Sequence, residues 1–277
     1  METSRWHNTP TIIKDLLSGY MGGIAYVLSG QPLDIVKVRF QSLNEKSIFK
    51  SAKSIWKNEG LLSFWKGSFF PLITVGLSMS ILFTANELTK EAYRSITKRT
   101  QLKAYEYFLI GGIAGTLYGL FVSPIEHVKV RMQIQKSSKP LYRNSIDCAN
   151  TIVRKYGVKA LFKGTWVTLA REFIGCGVYF MTYFCLKDKY HVESNGLTML
   201  IGGVSGVLEW NAIFALDNLK TKMQTDDFVK PIYRRGNYSK VVVLRDLCKG
   251  YLPGMIKAFP ANAATFLAYE LTGKYLR

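Results

Sequence analysis

No clean run of twenty apolar residues occurs in this chain of 277. That excludes a simple lipid-facing anchor. Segments 16–30, 107–122 and 170–186 approach spanning length, but each carries Gly, Ser, Thr or an isolated charge. That is the pattern of membrane helices that line a wet interior. Acidic residues are scarce, 19 against 37 Lys and Arg, leaving a net charge of +18. Nucleic acid, anionic lipid and acidic solutes all suit such a balance. The aromatics and long apolar stretches weigh against nucleic acid. Proline is sparse, and no Pro/Gly/Ser-rich linker divides the chain, which disfavours a string of independent domains. The four cysteines, Cys148, Cys176, Cys185 and Cys248, show no CxxC or zinc spacing and read as reduced, buried thiols. The three histidines, His7, His127 and His191, are scattered, so no metal cluster is expected. His127 is expected to face lipid headgroups or a neighbouring helix. With no P-loop, dinucleotide loop or EF-hand, the chain reads as no enzyme and as needing no cofactor. Residues 1–10 resemble neither a secretory signal nor a cleavable transit peptide, so any targeting information is expected to be internal.

What is present is an internal repeat. Three strings align: QPLDIVKVRFQ at 31–41, SPIEHVKVRMQ at 123–133 and FALDNLKTKMQ at 214–224. Each places an acid (Asp34, Glu126, Asp217), then Lys three residues on (Lys37, Lys129, Lys220). A second basic residue (Arg39, Arg131, Lys222) and a glutamine (Gln41, Gln133, Gln224) follow. A GxxxG pair precedes each string at one fixed offset: Gly19 and Gly23, Gly111 and Gly115, Gly202 and Gly206. Such pairs let helix backbones approach closely in a bilayer. Downstream, Trp65-Lys66-Gly67, Phe162-Lys163-Gly164 and Cys248-Lys249-Gly250 recur. The predicted unit is helix, amphipathic stretch, helix. The predicted fold is therefore all-α, with six membrane helices and three short surface helices in three repeats, 1–98, 99–192 and 193–277.

These motifs resemble those of the mitochondrial carrier family, whose pattern is Pro-x-acid-x-x-basic-x-basic followed by acid-Gly-x4-aromatic-basic-Gly. Repeat 1 matches fully, through Pro32, Glu59-Gly60 and Trp65. Repeat 2 keeps Pro124 but has Tyr156 in place of the acid. Repeat 3 has Ala215 for the Pro, Val242 and Val243 for acid-Gly, and Cys248 for the aromatic residue.

Acid and Lys at i and i+3 share one helix face, and a Pro inside a helix kinks it. Three such helices around an axis would bring Asp34, Glu126 and Asp217 against Lys37, Lys129 and Lys220. The result would be a closed ring of ion pairs, similar to the family's matrix-side gate. The resemblance implies that Gln41, Gln133 and Gln224 brace those pairs. A helix end with snorkelling lysines is the plainer reading. The resemblance also implies a cytoplasmic-side gate on the even-numbered helices. Helix 2 offers Glu87 and Lys90, helix 4 Phe184 and Lys187, and helix 6 Glu270 and Gly273. At most two bridges can form, Glu87 with Lys187 and Glu270 with Lys90. Exposed pairs of this kind contribute only about 0–1 kcal/mol each, so the resting protein is expected to favour opening to the cytoplasmic side.

By the same resemblance, substrate contact points fall at Thr74, Arg171 and Lys257, with Glu172 beside Arg171. Arg suits a carboxylate and Glu an ammonium, so the pair fits a zwitterion. Pairing between Arg171 and Glu172, or with other cavity groups, is the alternative. Lys257 could instead snorkel to the matrix side. Glu209 could meet a cationic solute, and Trp210 could wall the cavity or simply pack. Tyr26, Tyr118 and Tyr179 are further candidate lining residues. Lys257 and the segment 258–264 look like helix 6 of the carnitine/acylcarnitine and ornithine carriers.

The implied function is alternating-access antiport of a small metabolite across the mitochondrial inner membrane, the solute being a basic amino acid or a carnitine-type compound. The second reading, supported by the eroded motifs, is a carrier-fold accessory subunit of a respiratory assembly. Implied partners are a small-molecule solute and membrane lipid, including cardiolipin, with no nucleic acid. Both a monomer and a member of a larger inner-membrane complex fit.

Overall fold

The computed structural model describes residues 9–42, 47–99, 101–135, 140–190 and 195–226, together with positions 251, 257, 261, 264, 265, 268, 271, 272 and 275. Among them there is no strand. Repeat 1 consists of α1 (Thr9–Ser42), α2 (Ile48–Glu59) and α3 (Phe69–Thr97). Repeat 2 repeats that order as α4 (Ala104–Ile134), α5 (Ser145–Tyr156) and α6 (Thr165–Tyr190). Repeat 3 opens with α7 (Asn195–Thr225), and the nine isolated positions after it are helical. The region Leu61–Thr97, α4 and Leu200–Thr225 are long and apolar enough to cross a membrane. Helices α1 and α6, of 34 and 26 residues, also have the length, but their charges interrupt the apolar run.

The short helices show why each repeat folds alike. In α5, Ser145, Cys148 and Ile152 are buried, and α2 buries Ser51 and Ile55. These positions recur every three or four residues, so each helix lays one face on the bundle. Asn144 starts α5 by accepting the Asp147 N–H at 2.8 Å. Two small apolar cores result. Ile35, Val36 and Ile55 pack with Ile48, Ala52 and Phe64. Val128, Met132, Cys148 and Ile152 pack with Phe70, Tyr142 and Leu161. Burial pushes the Cys148 thiol up to about 12. Cys148 and Cys176 are buried, Cys185 is half-buried, and all three are free thiols; Cys248 lies outside the described residues.

Tryptophan 65 has a definite job. Pro32 has no N–H and cannot bond the carbonyl four residues earlier. That carbonyl, of Leu28, accepts the Trp65 indole N–H at 2.9 Å. Gly67 and Gly164 stand at φ +83° and +82°, a region that favours glycine. Each also lies against the helix of the following repeat. A Cβ on Gly67 would stand 2.8 Å from the Lys129 carbonyl oxygen, and one on Gly164 would stand 3.1 Å from Cγ of Gln224.

The GxxxG pairs behave unequally. Gly111 and Gly115 let α4 lie directly on α6, where a Cβ would stand 2.7 Å from the Cys176 carbonyl oxygen and 2.3 Å from that of Glu172. A Cβ on Gly23 would meet the Val75 side chain at 2.7 Å, and one on Gly202 the Tyr179 hydroxyl at 3.7 Å. Gly19 and Gly206 have nothing within 4 Å. The close approach expected three times occurs in repeat 2 alone among the described residues, because only there does a backbone face the glycines.

The polarity is turned inside out. Leu77, Phe83, Ile113, Leu117, Leu200 and Leu208 are exposed, while Gln31, Lys37, Glu172, Asp217, Asn218 and Lys220 are buried. An apolar exterior around a charged interior is what a bilayer-embedded bundle with a polar axis requires.

Candidate functional site

The charged strings meet where α1, α4 and α7 converge. Lys37 pairs with Asp217 at 2.5 Å, Lys129 with Asp34 at 2.8 Å, and Lys220 with Glu126 at 2.5 Å. Each acid takes the lysine of another repeat, and the three pairs close a ring.

Arg171 and Lys257 do not stand apart from that ring as the sequence led one to expect. Arg171, on α6, bonds Glu126 at 2.9 Å, Asp217 at 3.0 Å and the adjacent Glu172. It therefore ties together acids from two repeats. Lys257 bonds Asp34 at 2.8 Å, so the snorkelling alternative does not hold: its ammonium turns inward to a carboxylate. Every ring acid thus holds a second cation besides its lysine. Trp210 lies beneath two of these cations, 4.6 Å from Lys37 Nζ and 5.9 Å from Lys257 Nζ, and Tyr26 lies 5.2 Å from Lys257 Nζ. A cation over an aromatic face is attracted by the ring quadrupole. Thr74 spends its hydroxyl on the Phe70 carbonyl at 2.8 Å.

Gln133 and Gln224 do not brace the pairs. Gln41, Gln133 and Gln224 are buried, but Nε2 of Gln133 and both amide atoms of Gln224 meet no hydrogen-bond partner. The reason is placement: Gln133 and Gln224 pack their stems under Gly67 and Gly164. At the opposite end of the bundle, the bridge expected between Glu87 and Lys187 is not formed. Glu87 pairs with Lys90 of its own helix at 2.6 Å. Lys90 in turn lies 4.9 Å from the Phe184 ring, and Lys187 5.9 Å from the Tyr183 ring. With a phenyl ring at the acid position of α6, a cation–π contact occupies the place of an ion pair. Glu270 lies outside the described residues.

Two further features surround the ring. Arg39 donates from Nε to the Gln133 carbonyl at 2.8 Å and from Nη2 to the Gln135 carbonyl at 2.9 Å, capping the end of α4. Arg131 and Lys163 both donate to the Asp226 carbonyl beyond α7. A cation on terminal carbonyls offsets the negative helix end. The second basic residue of one repeat therefore caps the first helix of the next. Recurrence alone gave these positions but not their partners, since a backbone carbonyl carries no residue identity. Glu59 holds Arg39 in place and also pairs with Lys66 at 2.6 Å. Glu59→Gln is expected to cost about 3–5 kcal/mol, because a buried cation loses its carboxylate; thermal unfolding of the purified variant measures this. Second, His127 is fully buried, which fits the neighbouring-helix alternative and not the lipid-facing one. Its Nδ1 lies 3.0 Å from the Leu161 carbonyl and its Nε2 accepts from Arg131 at 3.4 Å. No group of His, Cys, Asp and Glu that could hold a metal occurs among the described residues.

A family profile described as "Mitochondrial carrier protein" matches residues 8–96, 100–194 and 191–277. The chain belongs to the mitochondrial carrier family. It is a multi-pass solute transporter of the mitochondrial inner membrane and not an enzyme. It is 38% identical to the glutamate/glycine mitochondrial carrier of Schizosaccharomyces pombe, over 95% of each chain. It is 33% identical to the mitochondrial glycine transporter of Saccharomyces cerevisiae, over all of this chain and 95% of the other. The human mitochondrial carnitine/acylcarnitine carrier is 31% identical, over 95% of this chain and 94% of that one. Family membership in all three repeats favours transport over an accessory role.

Proposed function

We propose that this carrier moves a small zwitterionic amino acid by alternating access, with glycine and glutamate ahead of the basic amino acids and carnitine. One observation carries the reading: Arg171 binds acids of two different repeats at once. A substrate carboxylate that engages Arg171 draws it away from Glu126 and Asp217 together. Each of those acids then keeps only its ring lysine, and the matrix-side ring loosens. Binding is thereby coupled to opening, since the substrate supplies interactions that the closed ring gives up. Two of the relatives named above are described as glycine or glutamate carriers, which supports ranking those solutes first. Cardiolipin is proposed as the lipid partner, at the Lys-Gly turns and surface-helix N-termini.

Exchange assays in cardiolipin-containing liposomes test this. Labelled glycine, glutamate, ornithine, arginine and carnitine are each offered to vesicles preloaded with the same solute. Glycine or glutamate is expected to exchange fastest. Exchange of carnitine or ornithine alone would overturn the ranking, and exchange of none by folded protein would reject the substrate class.

A further inference from the structure

Resting on the amino-acid reading above, we propose that Glu209 is the ammonium-binding residue of the site. Among the described residues around the ring, the three ring lysines, Arg171 and Lys257 make five cations. The three ring acids and Glu172 make four carboxylates in contact with them. The cluster carries one positive charge in excess, and that excess is what a substrate carboxylate seeks. Glu209, about two turns before Asp217 on α7, is a further carboxylate inside the bundle, and among the described residues it has no hydrogen bond or ion pair. A carboxylate inside a membrane bundle without a counter-cation is costly unless a ligand, proton or water completes it.

Its position fits the other end of a zwitterion. Oε1 of Glu209 sits in a slot left by Gly175, 3.2 Å from where a Cβ on that residue would be. Gly175 follows Arg171 by one turn of α6, about 6 Å along the axis, so both look from one face of α6 towards α7. The Tyr179 hydroxyl, a further turn along that face, approaches Gly202 of α7. Arg171 and Glu209 are thus a cation and an anion one turn apart along the same groove. A zwitterion laid along it has its carboxylate on Arg171 and its ammonium on Glu209. The excess positive charge at one end and the unpartnered negative charge at the other set that orientation. Glu172, held by Arg171 and with its second oxygen 3.9 Å from Cys176 Sγ, is less available for the ammonium.

The test compares glycine with glycolate, which keeps the carboxylate and replaces the ammonium with a hydroxyl. Full-length protein is titrated with each, following ligand-induced thermal stabilisation and competition against labelled glycine exchange. The wild type should prefer glycine by at least about tenfold, as for a charge-assisted contact in a desolvated site. In Glu209→Gln that preference should collapse to about twofold or less, with an unliganded melting temperature close to wild type. Glu209→Asp, which keeps the charge on a shorter stem, should restore a preference for glycine. A Glu209→Gln protein that still prefers glycine as the wild type does would overturn the assignment while leaving the substrate class standing. A wild type that binds neither glycine nor glutamate overturns the substrate class, and this inference with it.

Discussion

Arg171→Ala is expected to reduce exchange by at least about 100-fold and to lower the melting temperature. Arg171 serves three carboxylates, those of Glu126, Asp217 and Glu172. Deleting one partner of a buried charge pair costs roughly 3–5 kcal/mol, and each 1.4 kcal/mol is a factor of ten. The loss has two sources. Glu126 and Asp217 are left with single lysines, and the substrate loses its anchor. Arg171→Lys separates the two. It keeps the charge, but an ammonium lacks the planar fork that reaches several carboxylates at once. Stability should then recover further than exchange. The check is initial exchange rate together with thermal unfolding for both variants. Near-wild-type exchange by the alanine variant would falsify the coupling.

Gly115→Ala is expected to be the most damaging single-methyl change among the glycines of the GxxxG pairs. The added Cβ would stand 2.3 Å from the Glu172 carbonyl oxygen and 2.7 Å from Cys176 Cβ. Backbone cannot rotate away as a side chain can, so α4 and α6 must separate. Overpacking of this kind costs about 1–3 kcal/mol or more. Because the displaced carbonyl belongs to Glu172, exchange should fall as well. Gly206→Ala supplies the contrast: nothing lies within 4 Å of its Cβ, and the exchange of Gly for Ala inside a helix favours folding by up to about 1 kcal/mol. Thermal unfolding of the two variants side by side decides it. Equal melting temperatures would mean that the α4–α6 approach is looser than described.

The contrast also shows what could be read from the chain. The ring was legible because identity carries it: an acid and a Lys three residues on, thrice repeated, have few partners except one another. The surface helices and glycine turns of repeats 1 and 2 were legible for the same reason; those of repeat 3 lie outside the described residues. Proximity was not legible. GxxxG marks where a backbone is able to approach, and only the placement of Glu172 and Cys176 makes Gly111 and Gly115 a contact. The glutamines recur as faithfully as the lysines, yet Gln133 and Gln224 fill space under glycine turns instead of bonding charges. Arg171 and Lys257 were found as contact points that the family resemblance implies. Their hold on the ring acids depends on side-chain reach across the bundle, which spacing along one helix does not encode. At the opposite gate Phe184 counted as a lost acid, and its ring is a seat for Lys90.

The capping arginines carry an implication for how the molecule is built. Arg39 closes the end of α4, and Arg131 with Lys163 closes the end of α7. In each case the cap precedes in the chain the helix it serves. As synthesis runs from the N-terminus, each of these two helices emerges to find its terminal carbonyls already provided for. For these two helices, the cap is laid down before the carbonyls it serves.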